Sequence, residues 1–152
     1  GHLVISTLHT NDSISAITRM VDMGIPHYLI SGALVAIQAQ RLVRKLCTYC
    51  KVEEKISAST LEEIHQYIPE HSKFYTGKGC KECNETGYMG REMICEVLNI
   101  TEKISSLIAR GASNEALHAQ AVEDGFIAIL ENGINKAIDG ITSLEEILKV
   151  AK

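Results

Sequence analysis

No apolar run in this chain approaches the eighteen or so residues that a membrane-spanning helix needs, so no transmembrane segment is expected. No basic stretch precedes an apolar one near residue 1, which leaves a secretory leader without support. Internal repeats and low-complexity tracts are also missing. A basic stripe is lacking too. The net charge is −4, with a balance of +2 over residues 1–46, −2 over 47–95 and −4 over 96–152. Phosphate backbones bind clustered Lys and Arg, so a nucleic-acid partner is not expected.

What is present suits a folded protein. The 152 residues are 45% hydrophobic and 22% charged, enough to form one domain or two small lobes around a core. Residues 2–8 are β-branched and apolar and read as a strand buried on both faces of a mostly parallel sheet. His9, Thr10, Asn11 and Asp12 end it, and Asn11 or Asp12 suits the N-cap of a helix with Ile14, Ile17 and Val21 on its apolar face, closed by Gly24. A second helix is expected from Pro26 to about Leu46, with Leu29, Ile30, Ala33, Leu34, Ile37 and Leu42 apolar and Gln38, Arg41 and Lys45 on a polar stripe. From Cys47 to about Gly90 the chain turns polar, with one helical window at 59–67, and reads as an insertion. Residues 91–98 read as a returning strand. Helical windows at 101–109, 113–123, 126–138 and 142–150 follow, punctuated by Gly111, Gly125 and Gly140, and Thr142 with Glu145 matches a capping box.

Cys47-Thr-Tyr-Cys50 and Cys80-Lys-Glu-Cys83 carry the strongest local signal. Tetrahedral zinc takes four thiolates about 2.3 Å from the metal, and each C-x-x-C turn supplies two. Metal binding would stabilise a polar loop by on the order of 10 kcal/mol, which apolar burial within such a loop does not supply. Gly77, Gly79 and Gly87 suit the tight turns beside the second pair. Two disulfides, a thioredoxin-like redox pair and an iron–sulfur site are the competing readings, and structural zinc fits the spacing best. Four thiolates leave no open position for catalysis at the metal. Cys95, among Met93, Ile94 and Val97, reads as a buried apolar thiol.

His9 stands where an open α/β sheet places its ligands, outside the carboxyl end of a strand. An imidazole there can donate to a γ-phosphate or orient an attacking water. Residues 1–12, Gly-His-Leu-Val-Ile-Ser-Thr-Leu-His-Thr-Asn-Asp, resemble the histidine box of the secretion ATPase superfamily. Asp22-Met-Gly-Ile-Pro26, the run from Gln40 to Cys47, both C-x-x-C pairs, the run from Gly79 to Arg91 and Glu96-Val-Leu follow in order, and together they resemble the assembly ATPases of type II secretion and type IV pili.

The resemblance implies an α/β fold: the C-terminal part of a RecA-like P-loop ATPase lobe over residues 1–46, a tetracysteine zinc subdomain over 47–90, and a returning strand with a C-terminal helical lobe over 91–152. It implies a homo-hexamer in a parent protein, with ATP and magnesium as cofactors besides zinc. It also implies a cytoplasmic motor at the bacterial inner membrane that works with a membrane platform and recruiting proteins. No G-x-x-x-x-G-K-[ST] occurs in these residues. The fragment is therefore expected not to hydrolyse ATP alone, and to contribute His9, with His2, to a site completed elsewhere.

Arg41 and Arg44 are candidates for a nucleotide or subunit contact, against a solvated or packed helix end. Arg91 reads more readily as an ion pair, and His27, His65, His71 and His118 show no ligand-like spacing. A free-standing zinc-stabilised adaptor is the alternative function. A zinc-ribbon nucleic-acid binder is disfavoured by charge.

Overall fold

The computed structural model describes residues 2–151. Gly1, which opens the histidine-box match, and Lys152, which ends the third expected segment, lie outside them. The fold is mixed α/β, and by packing the residues group into two units: Gly1–Ala39 with Glu96–Ile127, and Gln40–Cys95 with Ala128–Lys152.

The first unit is mainly helical. Helix α1 (Ser13–Asp22) starts as the sequence suggests: Asp12 is its N-cap, with Oδ1 accepting from the Ser15 amide at 2.7 Å and Oδ2 from the Ser15 hydroxyl at 2.6 Å. Gly24, at φ +86°, ends it by donating to the Val21 carbonyl while Ile25 donates to Met20. Helix α2 (His27–Ala33), α4 (Glu102–Ala109) and α5 (Asn114–Glu123) complete the unit. Ile14, Ile17, Ile30, Leu98, Ile104, Ile108 and Leu117 form its core. Helices α4 and α5 carry the serine and threonine caps Thr101 and Ser113.

Two expectations fail in this region. Residues 2–10 form no strand, and Leu3, Val4 and Ile5 are at least 80% exposed. A strand exists only by pairing its amides and carbonyls, and residues 2–10 take part in neither sheet of the described residues. The helix expected to reach Leu46 stops at Ala33, where Leu34 turns extended with ψ 137°, and Ala36–Leu46 is instead strand β1. Ile37, Ala39, Arg41 and Val43 are its more buried positions and Gln38, Gln40, Leu42 and Arg44 its exposed ones, a period of two.

In the second unit, β2 (Lys51–Glu54) pairs antiparallel with β3 (Phe74–Gly77), Lys51 opposite Gly77 and Glu54 opposite Phe74. Helix α3 (Ala58–Ile64), with Ser57 as its cap, and a 3-10 turn at His65–Tyr67 lie between them in sequence. Strand β4 (Tyr88–Asn99) pairs with β1. These are the sheets of the described residues, two of two strands each, rather than a broad parallel one. Helices α6 (Ile129–Ile138) and α7 (Leu144–Val150) pack over Val43, Ile64, Phe74 and Ile94, with Ile134, Ala137, Leu144 and Ile147 buried. Ser143, not Thr142, caps α7, accepting from the Glu146 amide; the Thr142 hydroxyl is drawn off to the Arg44 carbonyl at 2.8 Å.

Candidate metal centre

Cys47 directly follows β1, and its amide donates to the Gly87 carbonyl at 2.9 Å. The chain then turns, with the Cys50 amide donating to the Cys47 carbonyl, and enters β2. After β3, Cys80 opens a short 3-10 turn at Lys81–Cys83, and the Glu85 amide returns to the Cys80 carbonyl at 2.9 Å. Asn84 and Glu85 sit at positive φ to complete this turn. Gly77 and Gly87 approach so closely that a Cβ on Gly77 would collide with the Gly87 carbonyl, and one on Gly87 would lie 2.5 Å from the Gly77 carbonyl.

This scaffold brings all four sulfurs within 4.8 Å of one another. Sγ separations are 3.7 Å for Cys80–Cys83, 3.8 Å for Cys47–Cys80 and 3.9 Å for Cys50–Cys83. A tetrahedron with metal–sulfur bonds of about 2.3 Å has edges of about 3.8 Å, so the residues fit a zinc ion. The cysteines are free thiols in this arrangement, not disulfides. The amides of Cys80 and Gly87 point at Cys83 Sγ from 3.3 and 3.2 Å. Desolvation raises the Cys83 thiol, but these amides and the neighbouring Cys80 and Cys50 thiols outweigh it and draw the group down to about 6. Cys50, mainly desolvated, is pushed up to about 12. Positive charge from a metal would favour the thiolate form of all four.

The other sequence candidates are not gathered here. His9 and His2 are exposed on the irregular segment before α1. Arg41 is half-buried, and its Nη1 donates to the Gln40 carbonyl. Arg44 forms a two-pronged pair with Glu146, Nε to Oε2 at 2.9 Å and Nη2 to Oε1 at 2.7 Å, and its guanidinium lies 4.0 Å over the Tyr88 ring. Those bonds hold the Glu146 carboxyl below its ordinary range despite burial. Arg91 is exposed, and Cys95 is half-buried with its amide bonded to Asn132 Oδ1. Sequence reading missed Glu146, Tyr88 and the buried Glu96. The motif-like runs from Gly79 to Arg91 and Glu96-Val-Leu contain Tyr88 and Glu96 without marking a role for either, and nothing local signalled Glu146.

A family model described as "Type II/IV secretion system protein" matches residues 1–149. The type IV pilus assembly ATPase PilB of Thermus thermophilus is 43% identical over 150 residues, 97% of this chain and 17% of that protein. The type II secretion system protein E of Klebsiella pneumoniae is 40% identical over 152 residues, all of this chain and 30% of that protein. The type II secretion system ATPase E of Vibrio cholerae is 40% identical over 154 residues, again all of this chain and 30% of its own length. The chain therefore spans less than a third of the length of these relatives.

Proposed function

The chain belongs to the type II/IV secretion system protein family, and from that premise we propose that it is part of an ATPase that powers type II secretion or type IV pilus assembly. The observation that carries this reading is the similarity, along essentially the whole chain, to proteins named as ATPases of those two systems. Residues 1–46 would belong to a RecA-like lobe, 47–90 to a zinc subdomain and 91–152 to the returning strand and a helical lobe. The exposed apolar residues 2–8 suit a strand that pairs with sheet supplied from outside these 152 residues.

On this reading the reaction is phosphoryl transfer from ATP to water. His9, with His2 nearby in sequence, donates to the γ-phosphate or orients the water, and a phosphate-binding loop absent from these residues holds nucleotide and magnesium. Cys47, Cys50, Cys80 and Cys83 hold zinc, which supplies structure and leaves no open position for chemistry. Arg41 faces nucleotide or a neighbouring subunit of a hexameric ring, and Arg44 serves the Glu146 pair first. The assembly works at the cytoplasmic face of the inner membrane with a platform and recruiting proteins. No helix among the described residues is long and apolar enough to cross a membrane.

The test is ATP turnover by the natural protein that carries these residues, with metal content measured on the same sample. His9→Ala is expected to abolish most turnover while one zinc per chain remains. Turnover untouched by His9→Ala, or none at all in zinc-loaded unsubstituted protein, would favour the adaptor.

A further inference from the structure

Glu96 belongs to neither the metal centre nor the histidine segment, yet it is only 4% exposed, and Ser13 is fully buried beside it. Its Oε1 accepts from the Ser13 amide at 2.7 Å and from the Ser13 hydroxyl at 2.7 Å, across 83 positions of sequence. Burying a carboxylate is costly unless strong donors meet it, so this one is held for what it binds.

What it binds is the start of α1. Ser13 is the first helical residue, and its amide has no acceptor within the helix. Asp12 satisfies the Ser15 amide further into the same turn. Two carboxylates therefore share the first turn: one adjacent in sequence, the other brought by β4. Both also sit favourably at the positive end of the helix dipole. His9 lies four residues before Ser13, with Thr10 half-buried between them.

We propose that Glu96 is a positioning residue: by clamping the first turn of α1 it sets the stance of the His9–Asp12 segment toward nucleotide. This rests on the reading that His9 serves ATP hydrolysis. Glu96 touches no reacting atom and acts through the helix start. Misplacement of a reacting group by about 1 Å costs up to about a hundredfold in rate.

The experiment compares Glu96→Ala, Glu96→Gln, Ser13→Ala and His9→Ala, with the double variant His9→Ala/Glu96→Ala, in the natural protein that carries this chain. Glu96→Ala is expected to lower kcat about tenfold or more, with KM for ATP within about twofold. Glu96→Gln, which keeps one acceptor oxygen, recovers part of the loss, and Ser13→Ala loses less than Glu96→Ala. The double variant is expected to be no slower than His9→Ala alone. Multiplicative losses in the double variant, or a kcat that follows thermal stability alone, would overturn the proposal. Should Glu96→Ala fail to fold, the coupling of Glu96→Gln to His9→Ala decides the matter in the same way.

Amide exchange at Ser13 separates this idea from the one beneath it. Faster exchange in Glu96→Gln is expected, and unchanged exchange removes the clamp whatever the turnover shows. If unsubstituted protein turns over no ATP while Ser13 exchange still responds to Glu96, the ATPase reading fails and the positioning role falls with it, leaving a structural helix clamp.

Discussion

Gly87 serves the metal loop three times over. Its carbonyl accepts from Cys47, its amide donates to Cys83 Sγ, and its missing side chain lets the Gly77 backbone approach. Its φ of +78° adds a conformation that other residues occupy only with strain. Gly87→Ala is therefore expected to destabilise the metal-loaded protein by at least about 2 kcal/mol in urea unfolding and to bring metal content below one per chain. A second residue-level contact is the pair of Arg44 with Glu146, whose side chains are 48% and 9% exposed. Arg44 is half in solvent, so Arg44→Ala is expected to cost about 1–2 kcal/mol, between the values for surface and buried pairs. The bonds from Arg44 hold the Glu146 carboxyl below its ordinary 4.5, so the folded form takes up that proton less readily than the unfolded chain. Its stabilisation is complete above about pH 4.5 and is lost as acid carries the carboxyl through its lowered value. Glu146→Gln is thus expected to flatten the acid side of the stability profile, measured by denaturant unfolding from pH 7 to 3, and a profile of unchanged slope would contradict the assignment.

Among the elements, those with signals written next to them form where the residues predict. Helix α1 has Asp12 at its start and Gly24 past its end, and α4 and α5 have Thr101 and Ser113. Asp12→Ala is expected to cost about 1 kcal/mol and to speed amide exchange at Ser15. Should exchange at Ser15 stay the same, the cap is not formed in solution. Strand β1 had no such local mark. Its sequence places apolar Leu42 on the exposed row and charged Arg41 on the more buried one, so the alternation is blurred and a helical stripe of Gln38, Arg41 and Lys45 fits the same residues. Pairing with β4, which lies some fifty residues further on, settles the element as a strand. Residues 2–8 show the reverse: strong β composition without a described partner strand, hence no strand.

At the scale of the whole chain, each unit has its own apolar core, one built on Ile14, Ile104 and Leu117 and the other on Val43, Phe74 and Ile147. The metal centre belongs wholly to the second. If the four cysteines hold zinc as proposed, removing it with a strong chelator is expected to loosen that unit, raising amide exchange at Ile64, Phe74 and Ile94, while Ile104 and Leu117 keep their protection. Uniform loss of protection would show instead that the chain unfolds as a single cooperative body.

The two C-x-x-C turns, the capped helices and the family motifs were legible from residue order, because each depends on neighbours within a few positions whose chemistry acts locally. The convergence of the four sulfurs is nearly of that kind, since structural zinc fits the spacing of two such turns better than disulfides or a redox pair. The strand character of residues 36–46, the fate of residues 2–8, the Arg44–Glu146 pair and the Glu96 clamp on Ser13 were decided only by tertiary structure. Each depends on a hydrogen-bonding partner dozens of residues away, or on the lack of one. The pattern of one segment does not record which distant backbone will satisfy it.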